Sequence, residues 1–341
     1  MLAAVYTGER TFETTTVDAT PVGADEVRIA VRYVGLCGTD LHIFHGHMDA
    51  RVAIPAVVGH EMSGVVSEVG SAVSDWRPGD VVTVMPLKWD GTCPACLAGN
   101  SHICQNLKFV GIDTPGALQG EWVVPASLLV RVPDDMALAH AALVEPVAVA
   151  VHDVRRSELT AGQKAVVIGA GPIGVLIASV ARAVGAEVAI VELDAGRRSF
   201  ADDLGLTTID PRAVDAASWV EEWTGGAGAD VVFEVAGAAS AVLSATSFAK
   251  VRGTIVVVAI HPEPRPIDLQ RVFWRELRIL GARVYQRTDF EEAVRLVAAG
   301  AVPTDALISG IVPLSSVQEA FETLEGGRAL KLLVDVAGDR A

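Results

Sequence analysis

The sequence predicts an α/β protein: a doubly wound parallel sheet inserted in a β-rich domain. Three observations point there. Residues 164 to 194 form a strand–turn–helix–strand unit with a glycine fingerprint. Before residue 145 short strands are separated by Gly and Pro, and from Pro146 onward strands alternate with helices. The chain has 341 residues, enough for two domains with sizeable cores, and 51% of them are hydrophobic.

In chain order, Glu26 to Tyr33 (EVRIAVRY) alternates as a half-buried strand should. Met62 to Val69, Asp80 to Met85, Trp122 to Pro125 and Leu128 to Val132 continue the pattern, broken by Gly70 and Pro78-Gly79. Many short strands with Gly and Pro between them suggest a barrel-like domain. Beyond Pro146, strands are expected at Lys164 to Ile168, Glu187 to Val191, near Thr207, and at Asp230 to Val235, Thr254 to Ile260 and Arg278 to Val284. Helices are expected at Pro172 to Val184, Asp215 to Trp223 and Ser240 to Lys250. After Tyr285 come amphipathic helices at Asp289 to Ala299 and Ser315 to Leu324, then a strand at Leu330 to Val336. That tail is expected to rejoin the first domain. The division is then 1–145 with 285–341 around an inserted 146–284, with a cleft where the domains meet. There is no internal repeat and no low-complexity linker.

The fingerprint is Gly169-x-Gly171-x-x-Gly174, directly after the first strand of the inserted segment. Gly169 allows the tight turn, Gly171 lets backbone approach a pyrophosphate, and Gly174 lets helix pack on strand. Pro172 and Ile173 open the helix, where a missing N–H costs nothing. Free N–H groups and the positive helix end suit phosphate. Glu192, at the tip of the second strand, would accept hydrogen bonds from ribose hydroxyls and repel a 2′-phosphate. NAD is therefore expected over NADP, although Arg197 and Arg198 could hold such a phosphate. The strand–turn–helix–strand context makes the motif specific; alone it would be weak.

Net charge is −15, which argues against nucleic acid and anionic membranes as partners. No apolar run near the length of a membrane span is free of glycine or charge. The N-terminus MLAAVYTGER lacks a signal-peptide layout. Three of the four cysteines crowd into residues 93 to 104, which suggests metal binding rather than a disulfide scaffold, in a reducing, cytoplasmic setting.

Cys37, His60, Glu61 and Glu145 supply the ligand types zinc takes. They lie too far apart in sequence for spacing alone to assemble them. Taken singly, a buried cysteine and a hydrogen-bonded core histidine are the common meanings. In combination, CGTDLH at 37 to 42, GHE at 59 to 61, LVEP at 143 to 146 and GAGPIG at 169 to 174 resemble the zinc-dependent medium-chain dehydrogenase/reductase family. Within that family the chain most resembles the branch of butanediol, sorbitol and threonine dehydrogenases.

The resemblance implies a Rossmann domain inserted in a GroES-like catalytic domain, and Cys37 and His60 as catalytic-zinc ligands. Glu61 and Glu145 are candidates for the third. Thr39 matches the hydroxyl that relays the alcohol proton, and His42 the histidine that passes it on. The family's structural zinc lobe has four cysteines; here the row reads Asp90-x2-Cys93-x2-Cys96-x7-Cys104. A carboxylate can replace the first thiolate, at some expected loss of affinity. His102 is a less suitable substitute.

The function so implied is reversible oxidation of a secondary alcohol, diol or polyol to a ketone, with NAD as hydride acceptor and zinc as Lewis acid. The partner is a small-molecule substrate, and relatives imply a homodimer or homotetramer. The sorbitol branch carries G-x-x-R-Y where this chain has Gly281-Ala282-Arg283-Val284-Tyr285, with the arginine one position early. Two other readings exist: a zinc-free quinone or enone reductase, and a non-catalytic nucleotide sensor. Proteins of the first kind lack the Cys and GHE set; the second predicts a spoiled zinc or relay position, and Cys37, Thr39, His42, His60 and Glu145 are all intact. Among smaller features, His45 and His47 read as solvent-facing and His152 as a satisfied core histidine. Trp89 reads as lining an entrance or covering the lobe, and Glu221-Glu222 as a solvated helix face.

Overall fold

The computed structural model of the protein describes residues 1–338. The chain divides into two compact units: Met1–Pro146, Gln286–Gly300 and Thr304–Ala341 form one, and Val147–Tyr285 with Ala301–Pro303 the other. Residues 339–341 of the tail lie outside the described residues.

The second unit is a six-stranded, wholly parallel sheet. Its spatial order is Thr207–Ile209, Glu187–Val191, Lys164–Ile168, Ala229–Glu234, Ala249–Val257, Arg278–Gly281. Lys164–Ile168, first in sequence, lies between Glu187–Val191 and Ala229–Glu234, so the chain winds outward in both directions. This is the doubly wound order in which ligands bind beyond the carboxyl ends of the central strands. Strands covered on both faces read as continuous apolar runs, and AVVI, VAIV and VVF do so. Val166, Ala189, Val191, Val232 and Ile255 are all buried in one cluster with Val220 and Phe248 from the helices.

Three expectations for this unit need correction. The helix expected to reach Lys250 stops at Phe248, because Ala249 is already extended (φ −73°, ψ 137°). The next strand therefore starts at Ala249 and ends at Val257, not Ile260, with a register shift around Arg252 (φ 60°) and Gly253. The last strand ends at Gly281 rather than Val284, whose φ of 50° no strand accommodates.

The first unit holds a seven-stranded sheet. Leu129–Arg131, Val81–Val84, Glu61–Val69, Glu26–Gly35, Lys331–Asp335 and Ile308–Pro313 lie in that order, and Glu121–Pro125 also pairs with Glu26–Gly35. The expected start of a strand at Leu128 is a 3₁₀ turn over Ala126–Leu128. The tail does return to this sheet: Leu333 pairs with Gly35 and Asp335 with Tyr33, antiparallel. A hairpin of Leu2–Gly8 and Thr11–Thr16, a helix Gly38–Phe44 and the strand Ile308–Pro313 add elements that the periodicity did not mark. Among the described residues no helix is long and apolar enough to cross a membrane.

Candidate active site

Strand Glu26–Gly35 ends beside the start of strand Glu61–Val69, with Gly35 opposite Glu61. Helix Gly38–Phe44 begins three residues further on. This junction places Cys37, His60 and Glu61 so that one ligand atom of each lies within 4.8 Å of the others. Cys37 Sγ is 3.3 Å from His60 Nε2. His60 is 3% exposed and packs edge-on against Phe109, ring centroids 5.0 Å apart. Gly35 is needed here: a Cβ at that position would collide with Glu61 Oε2.

Two residues outside the expected set hold this constellation. Lys331 Nζ donates to Glu61 Oε1 (2.8 Å), Glu61 Oε2 (2.6 Å) and the Leu36 carbonyl (3.1 Å), so all three of its donors are used. Burial alone would lower the Lys331 ammonium's pKa; Glu61, then Cys37 and Glu145, outweigh it and raise the value above the usual one. Asp40 is fully buried, accepts the Cys37 N–H at 3.0 Å, and places Oδ1 3.6 Å from His60 Nδ1. That arrangement leaves Nε2 as the imidazole atom facing Cys37. A carboxylate behind a ligating histidine is the common outer shell of a metal site. Both signals were present in the sequence. A lysine inside the apolar run Leu330 to Val334 is expensive to bury unless paired, and Asp40 sits inside the CGTDLH motif.

The donor set fits zinc in kind: one thiol, one imidazole and carboxylate. Burial, then Asp40 and Glu61, push the Cys37 thiol well above its ordinary value, with Lys331 opposing. A divalent cation is the kind of charge that would reverse this and hold a thiolate. Glu145 opens helix Val144–Ser157 and is 4% exposed. It is not among the three converging ligand atoms, although it is near enough to bear on Lys331. Thr39 and His42 lie one turn apart on helix Gly38–Phe44, hence on one side of it.

The second cluster is Asp90, Cys93, Cys96 and Cys104, again with ligand atoms within 4.8 Å of one another. Short turns over Pro94–Leu97 and Ser101–Ile103 fold the segment back on itself. Cys93 Sγ accepts from the Cys96 and Gln105 N–H groups (3.5 and 3.4 Å), and Cys104 Sγ from Asn106 (3.3 Å). The first two bonds lower the Cys93 thiol, whereas burial and the neighbouring sulfurs push Cys96 up to about 11. Asp90 accepts from Asn106 Nδ2 (2.5 Å) and from the Cys93 and Thr92 N–H groups (3.0 and 2.8 Å), which holds its carboxyl well below the usual range. A charged carboxylate and sulfurs that accept N–H bonds make a suitable zinc donor set. His102 is not a member of it, and no cysteine is in a disulfide.

In the other unit Gly169 has φ 109°, a conformation open to glycine, and a Cβ on Gly174 would collide with the Gly169 carbonyl. Gly171 caps the helix Pro172–Ala183 in extended conformation with Pro172 and Ile173 in its first turn. Beside Gly171 the nearest atom to an added Cβ is Arg197 Nη1, at 3.9 Å, which leaves room for a phosphate. Glu192 Oε2 accepts the Ala170 N–H (2.6 Å) and Oε1 the Asp194 N–H (2.8 Å), so the acidic residue is wired to the glycine turn. Arg198 is occupied by Asp210 (2.8 Å) and by the Glu192 and Leu193 carbonyls.

Of the smaller features, Glu221 and Glu222 are exposed and His152 is buried. Trp89 is 40% exposed. His45 and His47 are partly or fully solvent-facing, but they belong to a cluster with His42 described below.

The alcohol dehydrogenase GroES-like domain model matches residues 23–134, and the zinc-binding dehydrogenase model matches residues 172–299. A 2-dehydro-3-deoxy-L-galactonate 5-dehydrogenase of Pseudoalteromonas atlantica is 51% identical over 336 residues, 98% of each chain. D-xylulose reductase A of Aspergillus oryzae is 34% identical over 322 residues, 91% of this chain and 89% of its own. Among solved structures, 2R,3R-butanediol dehydrogenase of Bacillus subtilis has a TM-score of 0.91 at 30% identity, covering 98% of this chain and 99% of its own. A zinc-binding dehydrogenase of Sinorhizobium meliloti 1021, solved bound to NADP, has a TM-score of 0.91 at 33% identity and 98% coverage of both.

Proposed function

Because the chain belongs to the zinc-dependent medium-chain dehydrogenase/reductase family, we propose that it interconverts a secondary hydroxyl of a polyol or sugar acid and the ketone, with NAD. That the protein is an alcohol or polyol oxidoreductase follows from the family and its relatives. The observation that carries the finer reading is the convergence of Cys37, His60 and Glu61 over buried Lys331.

Cys37 and His60 would hold the catalytic zinc. Lys331 already cancels the charge of Glu61, so Glu145 supports the role of third ligand better: thiolate plus that carboxylate would balance a dication. When bound, zinc supplies Lewis acidity to an alcohol oxygen and the nicotinamide accepts the hydride. The chain's own residues do the rest. Asp40 places a carboxylate 3.6 Å behind His60 Nδ1, where its charge would favour the metal-binding orientation of the ring, and Lys331 fixes Glu61. Thr39 takes the hydroxyl proton, and His42 passes it toward solvent. Asp90, Cys93, Cys96 and Cys104 would hold a structural zinc. Gly169, Gly171 and Gly174, with Pro172 and Ile173, would cradle the pyrophosphate, with Arg197 at hand.

Glu192 supports NAD. Each of its oxygens keeps a lone pair for a ribose hydroxyl, and its charge opposes a 2′-phosphate. The substrate class is argued from the relative at 51% identity, which by its name acts on a deoxy keto sugar acid. Steady-state assays should test deoxy keto sugar acids, xylitol and 2,3-butanediol with each cofactor. The expected result is the highest kcat/KM for a sugar acid with NAD+. Preference for NADP+ would remove the role given to Glu192, and no turnover of any secondary alcohol would remove the function.

A homo-oligomer is supported by one face of the nucleotide unit. Among the described residues edge strand Arg278–Gly281 has no partner strand on its outer side, and Phe273 and Trp274 on the helix Leu269–Arg275 are 73% and 72% exposed. Trp274→Glu should sediment as a smaller species than the wild type; an unchanged size would place the interface elsewhere.

A further inference from the structure

The turn after helix Gly38–Phe44 folds back on the helix end. His47 N–H donates to the His42 carbonyl at 3.0 Å, and this brings the two imidazoles together, Nδ1 to Nδ1 at 3.4 Å. Their ring centroids are 5.7 Å apart. Two nitrogens at that distance share one hydrogen: one ring donates and the other accepts. We infer that His47 is the acceptor for the proton that leaves through His42, so that the outlet of the relay is a pair of histidines rather than one. This rests on the reading of His42 as the relay histidine given above.

The step balances without any redox change. His42, neutral with hydrogen on Nδ1, takes a proton on Nε2. Its Nδ1–H bond breaks as an N–H bond forms on His47 Nδ1, and His47 releases its Nε2 hydrogen to water. Both rings then carry the opposite tautomer and return by exchange with solvent, which both reach.

The surroundings favour outward transfer. Partial desolvation, then His47 and His45, lower the pKa of the His42 imidazole. His45, whose ring is 5.4 Å from that of His47, faces away to Glu325 Oε1 at 2.8 Å. Glu325, on the helix Val317–Glu325, is also held by Arg10 at 2.6 Å. Asp49 closes the turn and accepts from the Tyr6 hydroxyl at 3.2 Å. The titratable neighbours that bear on His42 are His47 and His45, and Glu325, Arg10 and Asp49 lie around the same turn. The two carboxylates are both engaged by other donors, which leaves His47 as the imidazole in hydrogen-bond reach of His42.

The test is kcat for NAD+-linked alcohol oxidation between about pH 5 and 8, the range over which histidine changes charge. The proteins compared are the zinc-loaded wild type, His42→Ala, His47→Phe, His47→Gln and the His42→Ala/His47→Phe double variant. His47→Phe should lower kcat about 10-fold on the acidic side, less than the 10² to 10⁴ of a group at the reacting atoms. The loss should be recovered by 2,6-lutidine, a base too hindered to ligate zinc. His47→Gln keeps a hydrogen bond to His42 but carries no proton, so it should be as impaired as His47→Phe; a packing role would instead be rescued. Residues acting in series do not add, so the double variant should match His42→Ala. A wild-type profile for His47→Phe, or full rescue by Gln, overturns the inference. Wild-type behaviour of His42→Ala itself, in an otherwise active enzyme, overturns the underlying reading of His42.

Discussion

Cys37→Ser should abolish alcohol oxidation, with kcat down by about 10³-fold or more, since a catalytic metal contributes several kcal/mol to the barrier. Dinucleotide affinity, measured by fluorescence titration, should stay close to that of the wild type, because the glycine turn and Glu192 lie in the other unit. The asymmetry follows from the chemistry of the position. Cys37 is the one sulfur among the three converging ligand atoms, and a serine oxygen remains protonated where a thiol can ionise on a metal. Glu145→Gln should fall in the same class, and Glu61→Gln should retain more activity, because Glu61 is already occupied by Lys331. Activity surviving in Cys37→Ser would remove the metal from the mechanism. Glu61→Gln proving the more damaging change would transfer the ligand role to Glu61.

Lys331→Met is expected to be the most destabilising single change in the catalytic unit. Removing the ammonium leaves Glu61, 2% exposed, as a buried charge without its partner. Breaking such a pair costs about 3–5 kcal/mol. In thermal unfolding that is a fall on the order of 10 °C. The double variant Glu61→Gln/Lys331→Met should recover much of the loss, because it removes both charges together. The effect should be larger in metal-stripped than in zinc-loaded protein, where a nearby cation gives Glu61 another counter-charge. Lys331 is raised above its usual value in the folded chain. Its contribution is therefore fully present below the unfolded lysine value of about 10.4 and is lost only above it. Stability that titrated away near neutral pH would contradict this assignment, as would a Lys331→Met variant as stable as the wild type.

Reading the sequence succeeded where cause and consequence lie close together in the chain. Gly169, Gly171 and Gly174 are six residues of local geometry, and Glu192 follows one strand later. The crowding of Cys93, Cys96 and Cys104 was legible for the same reason, whereas Asp90 entered through the family's four-cysteine row; the four ligand atoms lie together in the structure. Lys331 was not legible as a partner, because Glu61 lies 270 residues away and only the pairing of the tail strand with Glu26–Gly35 brings them together. The same holds for Glu325, which reaches His45 across 280 residues. Two of the misjudged element ends have a different reason. From Ala238 to Arg252 no glycine or proline marks the junction, so nothing in the sequence shows that helix gives way to strand at Ala249. Val284 is β-branched and favours strands by type, yet its left-handed backbone ends one.

The most direct test of the account is zinc per chain in purified wild type and Cys37→Ser, measured side by side by elemental analysis. The prediction is two zinc ions per wild-type chain, one at Cys37 and His60 and one at Asp90, Cys93, Cys96 and Cys104, with one fewer in the variant. An equal zinc content in the two proteins, or an active wild type free of zinc, would contradict the assignment of Cys37 and His60 to a catalytic metal.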